Sequence, residues 1–157
     1  MFNNIEVYAG KNAAQIILDS GFNEDMISAM AGASGGPKFL VLAGIDEIIF
    51  SSWFKKRNKP LFFIGSSIGA WRGAAFACKD PVNTHKKLIE SYISQKYTSK
   101  PSPAEVTAES FRILNEYITD KDIEFILTKS QVRLGIISAR CTGLSAMENR
   151  LALAASL

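Results

Sequence analysis

The sequence predicts an α/β fold with a mainly parallel sheet, and three observations lead to this class. Apolar runs of strand length occur at residues 27–31, 61–64 and 132–139. The segments between these runs place apolar residues at helical spacing. The resulting order of strands and helices is typical of a parallel sheet whose strands are joined by helical crossovers.

In the N-terminal half, we expect a helix on each side of the first strand. Residues 12–20 place apolar side chains on one face and stop before a glycine, as a short amphipathic helix does. Pro37 suits the first turn of a second helix, where its missing N–H costs nothing. Apolar residues then recur at i+3 and i+4 steps. This pattern predicts a mostly buried helix over residues 37–54, followed by a turn at 55–59.

In the C-terminal part, capping signals set the helix starts. Asp80-Pro81 and the capping box Ser102-Pro103-Ala104-Glu105 each place a capping side chain before a first-turn proline. The strand at 61–64 is apolar at every position, so we expect it to be buried on both faces. The helices expected after that strand cover residues 68–78, 81–97, 103–118, 120–128 and 147–157.

The composition limits the class of protein. A chain of 157 residues with 47% apolar residues predicts one domain, residues 1–157, with its own core. The net charge of +3 is mild and forms no basic stripe, so we do not expect nucleic-acid binding. The basic run at 55–59 is interpreted as a solvated loop, with contact with anionic headgroups as the alternative.

The sequence shows no targeting, membrane-spanning or metal-binding pattern. The N-terminus lacks the basic start and apolar core of a signal peptide, and no apolar run reaches the about 20 residues of a membrane helix. We therefore expect a cytoplasmic protein; peripheral association with a membrane and export without an N-terminal signal stay open. Cys78 and Cys141 lack metal-ligand spacing and are expected to be buried thiols. No metal and no cofactor are expected.

Two glycine-flanked serines follow the first two predicted strands. The second segment, Gly65-Ser66-Ser67-Ile68-Gly69, follows a strand directly and precedes a helix. A nucleophilic serine needs such a strained turn with small flanking residues, and the helix N-terminus favours a developing oxyanion. We therefore interpret Ser67 as the nucleophile and Gly65, Ser66, Ile68 and Gly69 as its elbow.

The first segment, Gly32-Ala33-Ser34-Gly35-Gly36, also fits the G-x-S-x-G pattern, so Ser34 is the alternative nucleophile. Two glycines and a proline separate Ser34 from the predicted helix, and two flexible glycine N–H groups suit an oxyanion hole. Lys38 either supports the oxyanion electrostatically or is solvated. The expected oxyanion turn consists of Gly35, Gly36, Pro37 and Lys38.

The general base is not evident from the sequence. His85 is the single histidine and lies only 18 residues after Ser67, which disagrees with the Ser, acid, His order of an α/β-hydrolase triad. We interpret His85 as a surface residue and Arg72, one turn into the second helix, as structural. Activation of the serine directly by a carboxylate stays open.

The segments Ser34-Gly35-Gly36-Pro37-Lys38 and Gly65-Ser66-Ser67-Ile68-Gly69, in this order, resemble the motifs of patatin-like phospholipases. That family carries a glycine-rich oxyanion motif with a basic residue, a G-x-S-x-G elbow, and an Asp in a D-G-[A/G] motif. The resemblance implies a three-layer α/β/α fold and a Ser–Asp dyad that hydrolyses acyl esters of phospholipids or other lipids. Its specific motifs fall within residues 27–80.

The chain departs from the family pattern in its acid motif, because no Asp is followed by Gly. Ser34 and Phe39 also stand where the family has glycines. We therefore expect the chain to be the N-terminal part of a longer protein. The main hypothesis is a serine acyl hydrolase acting on lipid esters. The alternatives are an incomplete domain that binds lipid or a protein partner, and a thioesterase or acyltransferase.

Overall fold

Three parallel strands form the sheet. The computed structural model describes residues 8–143, and the predicted helix at 147–157 lies outside them. The strands pair in the order β1-β2-β3, with Gly32 beside Gly65 and Ser66 beside Ile137. The α/β class with a parallel sheet is therefore confirmed. The strands are β1 (Ala29–Gly32), β2 (Leu61–Ser66) and β3 (Val132–Ile137).

Six α-helices accompany the strands within residues 8–143, and side-chain caps mark three of their starts, two of which were predicted. Asp80 and Ser102 each accept a hydrogen bond from a backbone N–H in the first turn of the helix that follows. Thr119 and Asp122 form a reciprocal capping box. These caps satisfy N–H groups that the first turn of a helix leaves unpaired. The helices are α1 (Lys11–Ser20), α2 (Ala43–Ser51), α3 (Ile68–Ala77), α4 (Pro81–Ile93), α5 (Pro103–Tyr117) and α6 (Asp120–Thr128).

The segment after the first glycine turn is not one helix, which corrects the prediction for residues 37–54. A 3-10 helix (Gly36–Leu42) leads into α2, and another short 3-10 helix (Trp53–Lys56) follows. The segment is not mostly buried either, because Val41, Ile45 and Ile48 form a largely exposed apolar stripe. Apolar spacing identifies a helix face, but it does not reveal whether another layer covers that face.

The basic run at 55–59 is only partly solvated. Arg57 is buried, and its guanidinium donates hydrogen bonds to the carbonyl oxygens of Glu24 and Pro60. Glu24 belongs to a one-turn 3-10 helix (Glu24–Met26) that lies before β1. The interpretation of the run as a solvated loop is therefore wrong for Arg57, whereas its lysines are exposed.

One face of the sheet is covered in the described residues. α3 packs against all three strands, and α4 packs on α3 and α2. Right-handed crossovers between strands in the order β1-β2-β3 place both connections on the same face. On the other face Phe62 and Ile64 are 55% and 49% exposed, so the expectation of a strand buried on both faces is wrong. The three-layer arrangement remains a proposal.

The core lies between α3, α4 and α5. α3 is rich in Ala and Gly and approaches the sheet closely, since a Cβ at Gly73 would come within 2.4 Å of the Phe63 ring. The side chains buried together in this core are Phe39, Ile68, Ala75, Leu88, Ile113 and Tyr117. No helix within residues 8–143 combines the length and the apolar character needed to cross a bilayer.

Candidate functional site

The two glycine turns lie side by side at the carboxyl edge of the sheet. Because β1 and β2 are parallel and Gly32 pairs with Gly65, both strands end at the same level. The hydroxyl oxygens of Ser34 and Ser66 are 3.3 Å apart across the two turns. Ligand sites of open parallel sheets lie at this edge. The structure therefore brings the two predicted motifs together.

Ser67 has an unusual backbone conformation at the end of β2. Its φ of 50° and ψ of −132° make it the one non-glycine residue with positive φ in the part of the chain that the structure describes. Such a conformation is strained for an L-residue and is found where surrounding structure enforces it. Ser67 also precedes α3 directly and is exposed. This is the geometry of a nucleophile elbow, in which the hydroxyl projects from a strand-to-helix turn.

Three glycines hold the two turns against each other. A Cβ at Gly69 would lie 2.0 Å from the carbonyl oxygen of Gly32, and a Cβ at Gly32 would lie 2.5 Å from that of Gly69. A Cβ at Gly65 would lie 2.5 Å from the Gly69 carbonyl carbon. Each of these approaches is too close for any larger residue. The interlocked backbones therefore enforce the strained turn at Ser67.

The first turn presents its two glycines to different cavities. Gly36 has a φ of 53° and lines a cavity of about 200 Å³ together with Ser67. Gly35 and Lys38 line a neighbouring cavity of about 310 Å³ together with Ser34. Pro37 and Lys38 are exposed. The predicted set of oxyanion residues is thus divided between two cavities, and Gly36 is the member that shares a cavity with Ser67.

The remaining walls of the Ser67 cavity come from helices that carried no motif. α3 contributes Ile68 and Trp71, and the end of α4 with the loop after it contributes two tyrosines and a glutamine. α5 completes the wall with Val106, Ser110 and Ile113, which lie on one face of the helix. The sequence analysis missed this wall. The residues added by α4, the loop and α5 are Tyr92, Gln95, Tyr97, Val106, Ser110 and Ile113.

A larger cavity of about 430 Å³ lies elsewhere, at α6. Charged side chains such as Lys79, Lys121 and Glu124 form much of its lining, and no residue of either glycine turn contributes to it. Size therefore does not identify the candidate site. The smaller cavity is preferred because it contains the strained serine.

Neither His85 nor a carboxylate among the described residues forms a hydrogen bond with Ser67. Within residues 8–143 the Ser67 hydroxyl makes no side-chain hydrogen bond. His85 is 3% exposed, so its interpretation as a surface residue is wrong. Its ring packs between Phe39 and Phe76 and does not line the Ser67 cavity. His85 is therefore not the base for this serine.

Burial lowers the pKa of His85 below its usual value of 6.5, and the positive charge of Arg72 adds to this shift, although Asp46 opposes it. The Nε2 atom of His85 lies 3.5 Å from Oδ2 of Asp46. This separation is within ion-pair range, but Nε2 makes no hydrogen bond. Because burial has the larger effect, the ring is neutral at pH 7 and the contact is not an ion pair.

A buried ion pair joins the helices that follow the two turns. Asp46 of α2 is 2% exposed and accepts two hydrogen bonds from Arg72 of α3, from Nε at 2.8 Å and from Nη2 at 2.7 Å. Bidentate pairs of this kind fix the relative orientation of both side chains. Arg72 is structural, as interpreted. Asp46 was missed, although its position three residues after Ala43 and four before Phe50, on the apolar side of the helix, was a usable signal.

The described residues show no metal cluster. No group of three or more His, Cys, Asp or Glu side chains that could hold a metal ion occurs within residues 8–143. Burial raises the pKa of the Cys78 thiol to about 12, so this thiol stays protonated at pH 7. Cys141 is exposed, which corrects the expectation that both thiols are buried.

Comparisons of the chain with protein-family models, with curated proteins and with solved structures found no match. The resemblance to patatin-like phospholipases therefore depends on the two motifs alone. Any function must be argued from the geometry of the two turns and the cavity beside them.

Proposed function

We propose that the protein is a serine acyl hydrolase that acts on lipid or phospholipid esters, with Ser67 as the nucleophile. The observation that carries this proposal is the strained backbone of Ser67 between a parallel strand and a helix, beside Gly36. Strain at a non-glycine residue persists where function requires it and neighbouring structure enforces it. A cytoplasmic location with access to a membrane surface fits such a substrate.

In the proposed reaction, the Ser67 Oγ attacks the ester carbonyl carbon and its proton passes to a carboxylate. The N–H group of Gly36 and the N-terminus of α3 stabilise the tetrahedral oxyanion, with Gly35, Pro37 and Lys38 shaping the turn. Collapse of the intermediate releases the alcohol, which takes up the proton, and leaves an acyl-enzyme. Water, deprotonated by the same carboxylate, then attacks the acyl carbon, the bond from that carbon to Ser67 Oγ breaks, Ser67 Oγ takes back the proton, and the fatty acid leaves. The Asp in this role is implied by the family resemblance.

The test compares the two serines of the paired turns. Ser67→Ala should abolish labelling by a fluorophosphonate probe and any hydrolysis of short acyl esters, whereas Ser34→Ala should keep the labelling. Ser34 is the matched control because it lies in the neighbouring turn, with its hydroxyl 3.3 Å from that of Ser66. Undiminished labelling of Ser67→Ala would refute the assignment of the nucleophile.

A second candidate is a patatin-like domain that binds lipid, or a protein partner, without turnover. The observation that favours it is the Ser67 hydroxyl, which no carboxylate contacts within residues 8–143. Wild-type protein that binds phospholipid vesicles but shows neither labelling nor ester hydrolysis would select this candidate.

A further inference from the structure

We propose that the cavity beside Ser67 is an acyl-chain site that holds about the first eight carbons of the chain. The same observations make Ser110 of α5 a specificity-determining residue. This inference rests on the proposed function of Ser67, because the cavity opens beside that serine and Gly36.

The inner wall of the cavity is apolar and rigid. Ile68 and Ile113 are 4% and 1% exposed and belong to the core, where they pack with Tyr117. Trp71 is stacked against the Tyr117 ring at a centroid distance of 6.5 Å. A wall made of core side chains moves little, since protein interiors are close-packed. The cavity therefore has a fixed inner boundary for a ligand that enters beside Ser67.

Most of the polar groups around the cavity already have partners within the protein. The Ser110 hydroxyl donates to the carbonyl oxygen of Val106 at 2.9 Å. Tyr97 Oη donates to Gln95 Oε1 at 2.7 Å, and Gln95 Nε2 donates to the carbonyl oxygen of Tyr92 at 2.6 Å. Because these groups are paired within the protein, they do not call for a polar ligand, and the apolar half of the lining can accept a hydrocarbon chain.

A polar group does stand at the entrance. The Tyr92 hydroxyl lies 3.6 Å from the position that a Cβ would take at Gly36, and the ring is held edge-to-face on Phe39 at 5.1 Å. The lining beside Gly36 and Ser67 thus includes a hydroxyl group, whereas Ile68 and Ile113 form an apolar part of the wall. This combination matches an acyl ester, whose carbonyl group is polar and whose chain is not.

The volume sets how much of the chain lies inside the cavity. At roughly 30 Å³ for a water-sized group, about the size of a methylene, the 200 Å³ cavity holds about seven such groups. The rest of a sixteen-carbon chain would extend out of the open cavity and gain no further contact there. Val106, Ser110 and Ile113 line the cavity at i, i+4 and i+7 of α5, and Ser110 is the smallest of the three. A larger side chain at position 110 would fill space that the acyl chain needs.

The first experiment measures the acylation rate with p-nitrophenyl butyrate, octanoate and palmitate. We expect octanoate to react fastest, and Ser110→Phe to lower the octanoate rate by about tenfold or more while changing the butyrate rate less. Ala108→Phe is the matched control, because it adds the same ring at an exposed position of α5 outside the cavity. Faster reaction with palmitate, or equal octanoate rates in the two variants, would overturn the proposal.

The second experiment measures binding without chemistry. In a Trp53→Phe background, Trp71 is the remaining tryptophan of the chain and lines the cavity. Octanoate should change the Trp71 fluorescence saturably, and the same change should occur in Ser67→Ala. The change should be lost in the cavity variants Ser110→Phe and Val106→Phe but kept in the control Ala108→Phe. If octanoate binds but no ester acylates the protein, the proposed hydrolase activity is refuted and the proposed acyl-chain site is retained. An unchanged response in both cavity variants would refute the chain site.

Discussion

At the scale of single residues, the site depends on three glycines that permit one strained serine. Ser67 alone could not hold a positive φ, which raises the energy by about 1–3 kcal/mol for a non-glycine residue. The close approach of Gly69 to Gly32 and of Gly65 to Gly69 packs the backbone on both sides of Ser67 and holds the turn in place. The need for small residues at Gly65 and Gly69 could be predicted from the sequence, because both flank Ser67. The contact of Gly69 with Gly32 could not, because Gly32 belongs to the other turn and the sheet register brings the two turns together.

Gly69→Ala should destabilise the fold by about 3 kcal/mol, because the new Cβ would meet the Gly32 carbonyl oxygen at 2.0 Å and two backbones would have to separate. Gly44→Ala is the control, since Gly44 lies in α2 with no atom within 4 Å of its Cβ position. That control should raise stability by about 0.5–1 kcal/mol. Urea unfolding of both variants measures the difference, and equal effects would contradict the interlocked turns.

At the scale of elements, the Asp46–Arg72 pair fixes α2 against α3. Helix α2 follows the turn that contains Gly35 and Gly36, and α3 follows Ser67, so the pair connects the two halves of the candidate site. The helix starts and the sheet order could be predicted because caps and apolar runs are local signals. The Asp46–Arg72 pair could not be predicted in this way, because it joins residues 26 positions apart through packing of α2, α3 and α4.

Arg72→Met should lower the free energy of unfolding by about 3–5 kcal/mol, because it leaves the Asp46 carboxylate buried without its partner. The double variant Asp46→Leu/Arg72→Met removes both charges and should recover much of this loss. Chemical unfolding of the single and double variants tests the coupling. A double variant that is less stable than Arg72→Met would contradict the account.

At the scale of the whole molecule, the described residues cover one face of the sheet, and the apolar pattern of the strands does not predict this. The apolar strand at 61–64 predicts burial on both faces, yet Phe62 and Ile64 are exposed, because α3, the helix that packs on all three strands, covers the other face of the sheet. Likewise His85 has the sequence context of a helix surface, but α4 turns it into the core between aromatic rings. Apolar runs define strands, whereas burial depends on which face the neighbouring elements cover.

The buried imidazole makes the stability of the whole fold depend on pH. Since burial lowers the pKa of His85 in the folded state, the unfolded chain binds a proton first as the pH falls. Stability should therefore be complete above about pH 6.5 and should decrease as the pH falls below that value towards the lower folded-state pKa. Urea unfolding at pH 7.5, 6.5 and 5.5 measures this slope. In His85→Leu the slope should be much smaller, and an unchanged slope would contradict the explanation.

The central claim is that the strained serine at the end of β2 is the nucleophile. Tandem mass spectrometry of the wild-type protein after reaction with a fluorophosphonate probe locates the modified residue directly. We expect one adduct, on Ser67, with Ser66 and Ser34 unmodified. An adduct on Ser34, or a protein that stays unmodified at excess probe, would contradict the claim.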